Sequence, residues 1–248
     1  MFSSFSSKAT FGRGWPAGQI SQTNLILHYD IWNKNSYPGS GASITDLKGN
    51  SNGSFANSPT YTSNYLLLNG SNQALKMNTA LGSQFSGTSP TKSEVTSVFL
   101  WVYPIAAGNI LVERGTSVYT DLNWYDSNIE ISAAGVFSLS TWHNALTSKV
   151  TSTARSFNAW YYVGWTYNGT TLTAYINGSS IGTTNFDRQA PYNNGYDLFY
   201  AIGASTATNM GTSAYCNMRF SEFHVYNSAL SATQVLTNYN NRKSLYGL

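Results

Sequence analysis

Ten carboxylates are spread along the 248 residues: Asp30, Asp46, Glu94, Glu113, Asp121, Asp126, Glu130, Asp187, Asp197 and Glu222. Cutting a glycosidic bond takes two of them converging on one bond, about 5–5.5 Å apart for retention or about 6.5–9.5 Å for inversion. On a strand, alternate side chains share a face, so an acid-x-acid spacing would supply such a pair. No two acids are two residues apart, and Asp126 and Glu130, four apart, have apolar Ile129 between them. Triad chemistry fares no better. His28 and His224 fall inside strand-like runs, where a structural histidine is expected, and His143 follows Trp142 at a turn. A Gly-x-Ser-x-Gly elbow is missing, as are phosphate-binding glycine loops. The chain is expected not to be an enzyme.

Metal chemistry has little to build on. Cys216 is alone, so no cysteine cluster can form, and its apolar-aromatic surroundings suit a small buried hydrophobe. Calcium wants about 6–8 hard oxygens. The best oxygen cluster is Asp121, Asp126 and Asn128, and solvated loop acids account for it better than a metal site does. No cofactor is expected.

Sugar recognition needs aromatic faces for the rings and Asn, Asp or Gln for the hydroxyls. Eighteen Tyr and seven Trp exceed what one core requires. Three clusters stand out as glycan-binding candidates: Trp124-Tyr125-Asp126, Trp142-His143-Asn144, and Tyr192, Asn194 and Tyr196 around Gly195. Interface or loop packing competes with the sugar reading at each. Asn52, Asn69, Asn168 and Asn177 each start an Asn-Gly-Ser/Thr triplet, which turn chemistry explains better than glycosylation.

The scaffold that must position these groups is read from composition and period. Only 9% of residues are charged and net charge is +3, while Ser, Thr and Asn supply 86 of 248. Such a surface is polar yet nearly uncharged, which excludes coiled coil and charge-driven disorder. The clustered basic face of a nucleic-acid binder is missing. No apolar run is long enough for a membrane span, and no signal peptide is visible.

From residue 24 onward the period is two. Runs at 24–30, 65–68, 95–103, 110–113, 129–132, 136–139, 161–167, 172–176, 180–186, 198–203 and 215–226 read as strands. Asn168-Gly169 and Asn177-Gly178 mark hairpins, because both residue types tolerate positive φ. The pattern predicts a single helix, 232–241, with Ser231 and Gln234 forming a capping box and Leu230, Val235, Leu236 and Tyr239 on one side. Short strands this numerous, with no linker, imply an all-β fold: one antiparallel two-sheet jelly-roll sandwich with a short C-terminal helix. Residues 1–22 read as an N-terminal arm, and 23–248 as the domain. The arm reads either as a frayed, flexible terminus or, since Phe2, Phe5, Phe11 and Trp15 are costly to leave in water, as a segment that docks on a partner.

Several stretches together resemble the laminin-G-like, concanavalin A-like jelly rolls. They are the opener Leu27-His28-Tyr29-Asp30, Thr45-Asp46-Leu47-Lys48-Gly49-Asn50, the turn Leu68-Asn69-Gly70-Ser71-Asn72, the core strand Phe99-Leu100-Trp101-Val102-Tyr103-Pro104, the hairpin from Trp160 to Gly178, and the closing segment Phe220 to Ser231. The resemblance implies the fold. The family commonly has an acid just after the Gly-Ser-Asn turn; here it is Gln73, which weakens transfer of a calcium site. The opener and the Tyr246-Gly247-Leu248 ending look most like versions in phage and other viral structural proteins. That likeness implies a virion location and a capsid-decoration or tail-fibre role. Its partners would be other virion proteins and copies of itself, with host-surface glycan as a further ligand. The alternative is a lectin-like adhesion module, and a more remote one is a glycoside hydrolase.

Overall fold

A computed structural model describes residues 18–85, 95–114, 125–141, 148–185, 198–204 and 215–248, with the side chains of Arg114 and of 125–128 outside that set. The strands are β1 Leu25–Asp30, β2 Ser43–Ile44, β3 Gly53–Ala56, β4 Thr60–Thr62, β5 Tyr65–Asn69, β6 Ala74–Met77, β7 Thr96–Pro104, β8 Gly108–Arg114, β9 Tyr125–Ile131, β10 Phe137–Leu139, β11 Val150–Thr151, β12 Tyr161–Tyr167, β13 Thr171–Ile176, β14 Ser179–Asn185, β15 Phe199–Ile202 and β16 Asn217–Tyr226. Helix α1, Ala232–Arg242, runs into a 3-10 turn at Lys243–Tyr246.

Two eight-stranded antiparallel sheets result. One runs β14-β13-β12-β7-β16-β5-β4, and the other β11-β10-β9-β8-β15-β6-β3-β2. β1 joins the first sheet on the same edge of β16 as β5: Met218–Phe220 lie opposite β5 and Glu222–Tyr226 opposite β1. The expected jelly-roll sandwich is therefore present, with more short strands (β2, β3, β4, β11) than periodicity had marked.

Alternation fills the space between the sheets. Leu27 and Tyr29 on β1, Val98, Leu100 and Val102 on β7, Val163 and Trp165 on β12, and Phe223 and Val225 on β16 all enter the main core. The opposite face of the first sheet is buried too, because α1 lies on it. Phe99, Trp101, Tyr162, Tyr175 and Tyr226 form a second core there with Leu230, Val235 and Tyr246. A strand buried on both faces reads as a continuous apolar run, as β7 and β12 do.

The predicted capping box is formed: Ser231 accepts from the Gln234 backbone N–H, and the Ser231 N–H donates to the Gln234 side chain at 2.9 Å. The predicted apolar stripe holds for Leu230 and Val235, whereas Leu236 is 44% exposed. Asn238 is buried instead, donating to the Tyr226 hydroxyl at 3.0 Å and accepting from the Ser21 N–H at 2.8 Å. Residues 18–22 of the expected arm thus lie against α1, with Ile20 buried. Asn177 and Gly178 both take positive φ (52° and 79°), which gives the tight hairpin. The other hairpin differs. Only Gly169 is positive there, and the Asn168 side chain accepts from the Thr170 and Thr171 N–H groups. Among the described residues no helix is long and apolar enough to cross a membrane.

Candidate functional site

The outer face of the first sheet divides into a part covered by α1 and a part left open. A bulge separates them. The β16–β7 register shifts between Phe220 and Glu222. Before it Met218 and Phe220 point into the main core, and after it Phe223 and Val225 do. Arg219 therefore faces out before the bulge, and Glu222, His224 and Tyr226 face out after it. Ser221 occupies the bulge, and its hydroxyl donates to the Asn64 carbonyl at 2.8 Å.

Under α1 the exposed alternation of β1 and β16 becomes a buried ionic cluster. His28 stands opposite His224, and Asp30 opposite Glu222. Arg242, from the last turn of α1, donates through Nε to both Glu222 oxygens (3.0 and 3.1 Å). Its Nη2 reaches Glu222 Oε1 at 2.7 Å and Asp30 Oδ2 at 2.9 Å. The Tyr246 hydroxyl donates to Glu222 Oε1 at 2.6 Å, and its ring stacks on Trp101 with centroids 3.9 Å apart. His224 Nε2 lies 3.1 Å from Glu222 Oε2, and its Nδ1 lies 3.4 Å from the Tyr162 hydroxyl. The neighbours therefore assign the ring proton to Nε2.

Burial sets the protonation states here. It lowers His28 from 6.5 to about 3, and it holds His224 low as well. Burial also pushes Glu222 upward, but Arg242 and the His224 hydrogen bond outweigh it and keep this carboxyl far below the usual range. Asp30 goes the other way, to about 7, through burial and the neighbouring Glu222 charge, against the pull of Arg242. One buried guanidinium thus neutralises one carboxylate, and the second carboxyl tends to keep its proton.

His28, Glu222 and His224 offer ligand atoms within 4.8 Å of one another, and His28 Nε2 is buried with no hydrogen-bond partner. Arg242 already brings positive charge to both Glu222 oxygens, so the set is an ion-pair network rather than a metal cage. The turn where the family carries an acid does not fit calcium either. Asn69 Oδ1 accepts from the Ser71, Asn72 and Gln73 N–H groups. Gln73 is spent at both ends, accepting from the Asn69 N–H and donating to the Ser58 carbonyl.

The open part carries aromatic rings and one cation. Leu67 on β5, Arg219 on β16 and Tyr103 on β7 stand opposite one another, and Trp160 enters beside Tyr103, just before β12. The Arg219 guanidinium carbon is 4.2 Å from the Tyr103 ring centroid and 4.8 Å from that of Tyr65. Trp160 packs edge-on to Tyr103 and Tyr65, at 5.6 and 6.2 Å. All four side chains are half-buried. Trp160 also touches Tyr246 at 4.8 Å, so that ring is the seam between the closed and open parts.

None of the sequence-predicted site residues is in this group. Phe2, Phe5, Phe11, Trp15, Trp124, Trp142, His143, Asn144, Tyr192, Asn194 and Tyr196 lie outside the described residues, as does Asp121. Tyr125, Asp126 and Asn128 are placed on β9, with their side chains outside that set. Sequence reasoning passed over Tyr65, Tyr103 and Trp160 because they sit in runs read as core strands. The usable signal was Arg219, a cation at an outward position of an apolar strand.

Comparison with known proteins agrees with this architecture. Residues 69–236 match the laminin G profile of the concanavalin A-like lectin/glucanases superfamily. No curated protein sequence matches. Among solved structures, Trypanosoma rangeli sialidase in complex with sialic acid aligns with a TM-score of 0.63 at 12% identity over 89% of this chain. The chain spans only 33% of that sialidase. Domain 4 of AbnA, a GH43 extracellular arabinanase from Geobacillus stearothermophilus solved with arabinotriose, aligns with a TM-score of 0.61 at 15% identity, over 88% of this chain and 100% of the domain. A botulinum neurotoxin type C structure aligns with a TM-score of 0.61 at 16% identity, over 88% of this chain and 51% of that one. These likenesses show the fold. The profile covers more than half of the chain, and with two antiparallel sheets packed as described, this protein belongs to the concanavalin A-like lectin/glucanase superfamily.

Proposed function

We propose that this chain is a non-catalytic carbohydrate-binding module whose contact surface is the open row Tyr65, Tyr103, Trp160 and Arg219. One observation carries the reading: half-buried rings are grouped around a cation on the part of the sheet that α1 leaves uncovered. Aromatic faces receive the C–H faces of sugar rings, and polar tips select hydroxyls. The arabinotriose complex of the AbnA domain supports the reading at the level of fold. The carboxylates with described partners are engaged within the domain: Glu113 accepts from the Thr141 hydroxyl at 2.7 Å. Arg242 holds Asp30 and Glu222, while Asp46 accepts from four backbone N–H groups, those of His28, Lys48, Asn50 and Ser51. Binding to an immobilised glycan panel, weakened about tenfold in Tyr65→Ala and Tyr103→Ala through loss of stacking area, is the expected result. Glycan binding untouched by both substitutions would overturn this surface, and turnover of any oligosaccharide would overturn the non-catalytic reading.

A second reading, a component of a virus particle that packs on itself and on other virion proteins, draws on the likeness of the opener and of the Tyr246-Gly247-Leu248 ending. The nearly uncharged surface suits close packing without charge desolvation. Removing residues 1–17, which hold Phe2, Phe5, Phe11 and Trp15, should then abolish incorporation into particles while leaving the domain folded. Unchanged incorporation would refute the anchoring role.

A further inference from the structure

We infer that Arg219 makes the open row selective for glycans that carry a carboxylate, such as sialylated or uronate sugars; this rests on the carbohydrate-binding reading above. The guanidinium has five N–H donors in a planar fork, and among the described residues Arg219 has neither a hydrogen-bond acceptor nor a carboxylate partner. Its contacts are the two tyrosine rings, which hold the plane of the fork and remove part of its water. The nearest acid along its own strand is Glu222, beyond the bulge and bound to Arg242, His224 and Tyr246. Among the described residues no neighbouring anion competes for the fork. A planar, bidentate acceptor satisfies such a group better than a neutral hydroxyl does. The hydroxyls of Tyr65 and Tyr103 also lack hydrogen-bond partners among the described residues, which leaves polar tips for the rest of the sugar.

Isothermal titration of the full chain with 3′-sialyllactose, trigalacturonic acid, lactose and a sulfated disaccharide tests this. At least one carboxylated sugar should bind about tenfold or more tighter than lactose at near-physiological salt, and the advantage should shrink in about 1 M salt. Arg219→Met should erase the advantage of the carboxylated sugar over lactose. Arg219→Lys should restore only part of it, because a point charge does not reproduce the fork. Arg219→Gln serves as the second variant if Arg219→Met melts lower than the parent. The two acidic sugars separate the sialate source from the uronate source. Equal affinity for lactose and both acids, unchanged in Arg219→Met, overturns the inference while the carbohydrate-binding reading stands. A sulfated sugar bound as tightly as the best carboxylated one overturns carboxylate selectivity in favour of charge alone. No binding of any sugar overturns the carbohydrate-binding reading itself.

Discussion

Asp30 and Glu222 stand directly opposite each other on β1 and β16, and a single guanidinium from the last turn of α1 binds both. Two facing carboxyls in this fold invite a catalytic interpretation. Here they are sealed: Glu222 is fully buried and Asp30 is 5% exposed, with Tyr246 and α1 above them. Their chemistry is to fasten the helix to the sheet.

Removing the guanidinium strands both carboxyls. Arg242→Met should lower stability by about 3–5 kcal/mol, because a buried charge is left uncompensated. Urea denaturation measures it. Adding Asp30→Asn and Glu222→Gln should recover part of the loss, since no charge then remains unpaired. A loss under about 1 kcal/mol in the single variant would mean that the network does not hold the helix.

Acid acts on the cluster through opposing groups. His28 lies at about 3 and His224 is also low, against an ordinary 6.5, so their contribution is full above pH 6.5 and is lost as pH falls. Asp30 lies at about 7 against 3.8, so its contribution is full below 3.8 and is lost as pH rises through 7. Between about pH 4 and 6.5 the histidines and the aspartate therefore pull in opposite directions, with Glu222 and Arg242 charged throughout. Asp30→Asn removes one side of the balance. Its stability should fall on acidification more steeply than that of the parent, by about 1.4 kcal/mol per pH unit. Parallel slopes for the two proteins, from denaturation at a series of pH values, would show that Asp30 does not hold its proton.

Tyr246 does two separable jobs. Tyr246→Phe keeps the ring on Trp101 but removes a hydroxyl that bonds Glu222 and Ser221, and should cost about 1–3 kcal/mol. Tyr246→Ala also empties the stack and should cost about 3–5 kcal/mol. Equal losses for the two variants would assign the whole effect to the hydroxyl.

Gly164 lies opposite Phe99 on β7. A Cβ there would meet the Val98 carbonyl oxygen and the ring of Phe99, which is stacked with Tyr162. Gly164→Ala should destabilise by about 1–3 kcal/mol from overpacking, seen as a lower melting temperature. An unchanged melting temperature would show that the sheet gives way locally.

The architecture was legible because period two, Asn-Gly turns and one capping box are local signals, and local signals agreed with the fold along most of β1, β5, β7, β12, β13 and β16. The short strands β2, β3, β4 and β11 were not, since pairing rather than composition makes two- to four-residue strands. The ionic cluster escaped for a different reason. Asp30, Glu222 and Arg242 are separated by up to 212 positions, and nothing in their spacing announces that α1 folds back over β1 and β16. Asn238 and Arg242 are polar, yet they sit on the buried side of the helix because Tyr226, Asp30 and Glu222 lie beneath them. The open row was hidden by its own hydrophobicity, because Tyr65, Tyr103 and Trp160 satisfy a core pattern as well as a surface one.

The out-of-phase residue at Ser221 also has an evolutionary reading. Because Ser221 is an extra residue opposite β7, a homologue lacking it would pair Phe220 and Glu222 with Val102 and Trp101 in unbroken alternation and keep Glu222 and His224 on the helix side, so a one-residue gap here leaves the clasp intact.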